Sequence, residues 1–130
     1  YVISGSTSYD VQLTGAVHIY DPKRNVWSEG APIPTPRTSA GAALGPDGRI
    51  YVIGGLDRDR KMNVVEAYDP GRNTWARLSP LPTRREALQA VFAPGPAGRG
   101  LIYAIAGRDR AAPGVHLDTG PQGSLALEIS

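Results

Sequence analysis

The chain has 130 residues and a mass of 13.8 kDa with no cysteine, which excludes disulfide and thiolate chemistry and leaves room for one modest core. Hydrophobic residues make up 41% and charged residues 20%, the balance of globular material, and no apolar run approaches the roughly 18 residues of a membrane-spanning helix. The charge of +2 comes from 12 Arg and 2 Lys against 12 Asp and Glu. An arginine skew in so glycine-rich a chain suits GC-rich coding as well as phosphate contacts, so neither nucleic acid nor a membrane is expected as partner.

Taken in order, the chain opens on "YVISG" (1–5), a β-branched and aromatic run that reads as a strand already under way. Neither an initiator Met nor a signal peptide precedes it, so the compartment is not legible and the chain reads as part of something longer. "STSYDVQLTG" (6–15) is a polar loop, and "AVHIYD" (16–21) is a further strand, closed by the turn in "YDPKRNVW" (20–27). A Pro-rich crossing to Arg37 follows. "TSAGAALG" (38–45) is small and apolar and ends in the "GPDG" turn, and "RIYVIGG" (49–55) is a short strand closed by two glycines. After the loop "LDRDRK" (56–61), "NVVEAYD" (63–69) alternates Val65 and Ala67 against Glu66 and Tyr68. "TWARL" (74–78) is the fourth strand, and "SPLPT" stops it. "YAIAG" (103–107) begins to repeat the series, and "SLALEIS" (124–130) alternates as a final strand.

These segments recur. Tyr20, Trp27, Pro34, Thr35 and Arg37 return as Tyr68, Trp75, Pro82, Thr83 and Arg85, each 48 residues later, and the strand-Gly element at 1–5 returns at 51–55 and 103–107. A period near 50 is the mark of a repeat architecture. Four short antiparallel strands per repeat form a sheet with two apolar faces, which must stack on similar sheets. Radial stacking makes each sheet one blade of a β-propeller. Under three blades fit in 130 residues, where closed rings have about four to eight, so further blades are expected from flanking sequence or from other chains.

Gly54 and Gly55, then Tyr68, Trp75 seven residues on, and Pro82 with Arg85 closely resemble the kelch repeat, whereas the WD40 signatures are missing. The resemblance covers about residues 1–107 and implies an all-β kelch-type propeller segment of about two and a half blades. Residues 1–36 are expected to be a blade without its innermost strand, 37–83 a complete blade, and 84–130 a third blade that is clear to about 107 and degenerate after it. Ser4 and Ala106 stand where the doublet has its first glycine.

For the repeated residues, packing roles are expected. Tyr20, Trp27, Tyr68 and Trp75 are large enough to fill the gaps between blades, and two Trp at equivalent positions suit packing better than a ligand site, which needs one copy. Gly54 and Gly55 suit a close backbone approach or a positive φ. Arg37 and Arg85 start innermost strands, where each is expected to satisfy loop carbonyls of a neighbouring blade, the alternative being a guanidinium ring offered to an acidic partner. Partner binding is sought instead in the loops after the doublet, with Arg58, Arg60 and Lys61 in one copy and Arg108 and Arg110 in the next, interleaved with Asp57, Asp59 and Asp109.

His18 and His116 each follow a Val and lack a carboxylate or cysteine at ligand spacing, so no catalytic residue, metal site or cofactor is expected. Some kelch-type propellers are enzymes, among them a galactose oxidase that needs a Cys–Tyr cross-link and a sialic acid epimerase. The first site cannot lie in a chain without cysteine, and no motif here carries the second. The expected function is a non-catalytic module binding another protein through blade loops. The alternative is a piece of a propeller enzyme or carbohydrate-binding protein whose site lies mostly elsewhere.

Overall fold

The structure, a computed structural model, describes residues 1–7, 12–94, 100–108 and 125–129. Twelve strands in it form three larger antiparallel sheets and one small hairpin. The first sheet contains β1 (Val2–Ser6), β2 (Leu13–Asp21) and β3 (Val26–Gly30). In the middle sheet, β4 (Gly41–Leu44), β5 (Ile50–Ile53), β8 (Val65–Asp69) and β9 (Thr74–Arg77) are neighbours in that order. The third sheet contains β10 (Gln89–Pro94), β11 (Gly100–Ile105) and β12 (Leu125–Ile129). Each sheet runs outwards in chain order, so the first begins at the second strand of the four-strand pattern.

One element departs from the sequence reading. The stretch read as the loop 56–61 folds as the hairpin β6 (Leu56–Asp57) and β7 (Arg60–Lys61). Its two-residue turn is made possible by Arg58, which takes φ 51° without being glycine.

Register repeats with the sequence. Val2 faces His18 as Val52 faces Glu66, and Tyr20 faces Trp27 as Tyr68 faces Trp75. Side chains alternate across each strand, so Tyr51, Ile53, Val65 and Ala67 leave the middle sheet on one face and join Leu88, Ile102 and Ala104 of the third in the main core. The opposite face of the middle sheet carries Val52, Glu66, Tyr68 and Trp75 towards the first sheet.

The crossings between sheets are anchored in the same way at each passage. Ile33 N–H donates to Gly15 O and Leu81 N–H to Asn63 O, both at 2.8 Å, with the two side chains buried beneath. The Gly doublet lies against the next crossing. Gly54 has φ 61°, and a Cβ there would come within 2.7 Å of Arg85 O, so both conformation and space call for glycine. Its counterparts Ser4 and Ala106 keep the left-handed backbone at φ 59°. Ser4 uses its hydroxyl to accept from Arg37 N–H at 2.9 Å.

Candidate partner-binding face

The repeated phrase folds into a self-contained turn. Asp21 Oδ1 accepts from the amides of Lys23 and Arg24, and Asp69 Oδ1 from those of Gly71 and Arg72; a short side chain bonding the backbone just ahead is what sets such turns. Asn25 and Asn73 take left-handed backbone, φ 54° and 53°, and accept from the hydroxyls of Tyr20 and Tyr68 at 2.9 and 2.7 Å. The rings of each Tyr–Trp pair lie 5.0 and 5.1 Å apart. Locally the two copies are alike.

Their surroundings differ. Tyr68 is 1% exposed and reaches the first sheet at Gly30, where a Cβ would stand 2.6 Å from its hydroxyl. Asn73 Oδ1 accepts from Ala31 N–H at 2.6 Å, and Trp75 Nε1–H donates to Ala31 O at 2.8 Å. One residue of the first sheet's exit, Ala31, is therefore held through both its N–H and its C=O. Tyr20 and Trp27, expected between blades, are instead 41% and 61% exposed. They face away from the middle sheet, where among the described residues no sheet stands.

Arg37 and Arg85 are both buried. Arg37 Nη1 donates to Thr35 O at 2.7 Å and to Glu66 Oε2 at 2.5 Å, and Nη2 donates to Val52 O at 2.9 Å. Glu66 Oε1 accepts from the Thr35 hydroxyl at 2.7 Å. Arg37 takes one loop carbonyl of the expected kind, Thr35 O in the crossing from the first sheet, but its other bonds are to its own sheet. Arg37 binds its own sheet and the crossing that leads into it, because its side chain folds back under β5 and β8. Burial pulls its guanidinium below the ordinary arginine value, against the opposing pull of Glu66. Arg85 donates to the Thr83 hydroxyl at 2.9 Å and to Ala106 O at 3.1 Å.

Two open grooves lie at the hairpin end of the sheets. β6 and β7 stand out between them. One, of about 780 Å³ and open to solvent, runs between the hairpin tip 57–60 and the wall made by Gln12, Leu13 and the Pro34–Thr35–Pro36 crossing. The other, of about 210 Å³, is lined by Arg60, Lys61, 62–64 and Arg84. Arg60 pairs with Asp57 at 3.2 Å while remaining largely exposed. Arg58 and Arg84 are exposed, with no polar partner among the described residues.

Lys61 lines the smaller groove but is half-buried there. Its ammonium donates to Arg108 O at 3.2 Å and lies 3.5 Å from Glu86 Oε1, so it ties the hairpin to the third sheet. Arg108 is exposed and bridged to Glu86 through the backbone, whereas Arg110, Asp109, His116 and residues 8–11 lie outside the described residues. His18 is exposed on the outward face of the first sheet, at the position Glu66 holds in the second. Among the described residues no three His, Cys, Asp or Glu side chains lie close enough to hold a metal ion.

Sequence reasoning missed Glu66, Asn73 and Arg84. Glu66 was legible as a lone carboxylate on an otherwise apolar strand face, and Asn73 as the one uncharged polar residue kept in both copies of the phrase. Nothing local marked Arg84.

Residues 37–82 match the family described as Kelch motif. The chain is similar in structure to a fungal alcohol oxidase of the AA5 family in complex with copper, at 20% identity and a TM-score of 0.67, over 85% of this chain and 24% of that one. It is also similar to YjhT, at 27% identity and a TM-score of 0.61, over 75% of this chain and 29% of that one. The chain thus spans about a quarter of the length of these structures. No curated protein sequence matches it.

Proposed function

Because the chain is a segment of a kelch-repeat β-propeller, we propose that it serves as a non-catalytic module binding another protein at the hairpin end of its sheets. The observation that carries this reading is the contrast in how its arginines are used. Arg37 and Arg85, at the entry to the innermost strands of the middle and third sheets, are buried and bonded to the fold's own carbonyls and hydroxyls. Arg58 and Arg84, which have no polar partner among the described residues, stand in water beside open grooves.

A guanidinium fork matches a carboxylate in geometry as well as charge. The partner that fits is a protein segment bearing Asp or Glu, laid across the hairpin with its apolar side against Leu13, Pro34 and Pro36. Asp57 and Asp59 beside the cations exclude a purely electrostatic, sequence-blind surface and favour alternating charge in the partner.

The test is affinity capture from cell extract with the intact chain and with an Arg58→Glu/Arg84→Glu variant, followed by titration of the captured protein. Loss of two charge-assisted contacts predicts binding weaker by about tenfold or more. A partner bound equally well by both forms sinks the proposal. Turnover of an alcohol or sugar by the chain itself favours the rival reading, a piece of a propeller enzyme.

A further inference from the structure

The crossing into the middle sheet and the crossing out of it build the same groove, and the two grooves carry opposite chemistry. Ser6 pairs with Leu13 in the first sheet as Leu56 pairs with Lys61 in the hairpin. Gly15 O accepts from the first crossing as Asn63 O accepts from the second. Gln12, Leu13 and Pro36 therefore hold the positions that Arg60, Lys61 and Arg84 hold 48 residues on.

One wall of the larger groove, made by Gln12, Leu13 and the Pro34–Thr35–Pro36 crossing, is uncharged, and on the other wall Asp57 and Asp59 balance Arg58 and Arg60. The smaller groove sets Arg60, Lys61 and Arg84 against Asp57, beside Met62 and Val64. Arg60 is paired with Asp57 and Lys61 with Glu86, which leaves the exposed Arg84 guanidinium with no polar partner among the described residues. A carboxylate entering the smaller groove meets an uncompensated cation. In the larger groove it gains no net attraction.

We propose, on the protein-binding role already given to this face, that one extended segment of the partner reads both grooves, setting an apolar side chain in the larger and an Asp or Glu on Arg84 in the smaller. Neighbouring strands lie about 4.8 Å apart, so grooves flanking a two-stranded hairpin are separated by about 10 Å, which an extended chain spans in about three residues. The partner's pattern is an apolar and an acidic residue at that spacing. A segment slipped out of this register loses its charge-assisted bond and places its carboxylate among Asp57 and Asp59, so the two grooves select against it.

Fluorescence polarisation on the intact chain tests this with labelled synthetic peptides of Ser and Thr, each carrying one Leu and one Glu at separations of one to five residues and in both orders. Binding is expected to be tightest near the spacing of about three, in one of the orders. It is expected to weaken by about tenfold or more when the peptide's Glu is replaced by Gln, or when the chain carries Arg84→Pro. Combined, the two changes cost no more than either alone. Leu13→Lys is expected to change the residue preferred in the larger groove from Leu to Glu. Each substitution installs what the other crossing already carries at that position, and far-ultraviolet circular dichroism with the emission of Trp75 shows that the variants remain folded.

Equal binding at every separation overturns the proposal, as does an Arg84→Pro chain that binds like wild type. An unchanged preference for Leu in Leu13→Lys overturns the assignment of the larger groove. Failure of every peptide to bind also overturns the two-groove reading, and the capture experiment with Arg58→Glu/Arg84→Glu, which is blind to spacing, then decides whether the broader role falls with it.

Discussion

Residues 20–27 and 68–75 share six of eight identities and fold to the same turn, with the same Tyr–Asn hydrogen bond and nearly the same ring separation. Yet Tyr68 is sealed in the interior, while Tyr20 and Trp27 lie in solvent. The difference arises 42 to 44 residues away, at Ala31, whose N–H and C=O close the second copy and have no counterpart for the first among the described residues. A motif of this kind is a plug: its conformation is local, and its energetic worth depends on what it is plugged into.

The comparison is broken most directly by truncating both tryptophans. Trp75→Ala is expected to destabilise the chain by up to about 3 kcal/mol in chemical denaturation, through the loss of a half-buried ring and its hydrogen bond to Ala31 O. Trp27→Ala is expected to stay within about 0.5 kcal/mol of wild type, as exposed positions do. Equal losses at the two sites would mean that Trp27 is buried in the folded chain.

The positions of Glu66 and His18 extend the contrast to charge. Glu66→Ala leaves the Arg37 guanidinium buried without its carboxylate and is expected to cost about 3–5 kcal/mol, whereas His18→Ala leaves stability near wild type. If Glu66→Leu recovers most of the loss, the desolvation of Arg37 is smaller than its burial implies.

Smaller effects are expected from the asparagines. Asn73→Ala removes an exposed bond from the Ala31 amide and a half-buried one from the Tyr68 hydroxyl, for a loss of about 1–2 kcal/mol. Asn25→Ala forfeits one exposed hydrogen bond and is expected to lose less. Thermal melts of both variants in parallel would reveal whether the order is reversed.

The mildest effect is confined to alkaline pH. Tyr51 is pushed up to about 12 by burial and by its hydrogen bond to Asp47, 2.9 Å away. An unfolded tyrosine ionises near about 10, so its contribution is complete below that pH and is lost as pH rises from there towards the folded value. Tyr51→Phe is expected to flatten that stretch of the stability curve. An unchanged slope would locate the alkaline loss elsewhere. At the acid end, burial by itself raises Asp47, but hydrogen bonds from Arg49 and Tyr51 outweigh it and hold the carboxyl below its ordinary value. That contribution is present above the unfolded carboxylate range and is lost as pH falls through the folded value.

Much of the fold was legible because its signals are local and repeated. Alternation in "NVVEAYD" set the faces of β8, the Gly and Pro punctuation set the turns, and a period near 50 set the stacking of like sheets. The candidate site was less legible. Arg58 and Arg60 were found because they sit in a loop outside the repeat frame. Lys61, next to the exposed Arg60, turns instead towards the half-buried Glu86 of the neighbouring crossing. The charge of Arg84 gives no hint of the groove it lines, which exists only once the hairpin stands beside the crossing.

Sequence alone thus determined the kind of structure: short strands, their facing, their turns, and the repeat that makes each sheet need neighbours. Those are consequences of backbone geometry and of alternation along a few residues at a time. Only the tertiary structure decided which copy of a repeated side chain is buried, which arginine is bonded and which stands free. Burial and pairing are properties of what lies across an interface, and identical residues meet different neighbours there.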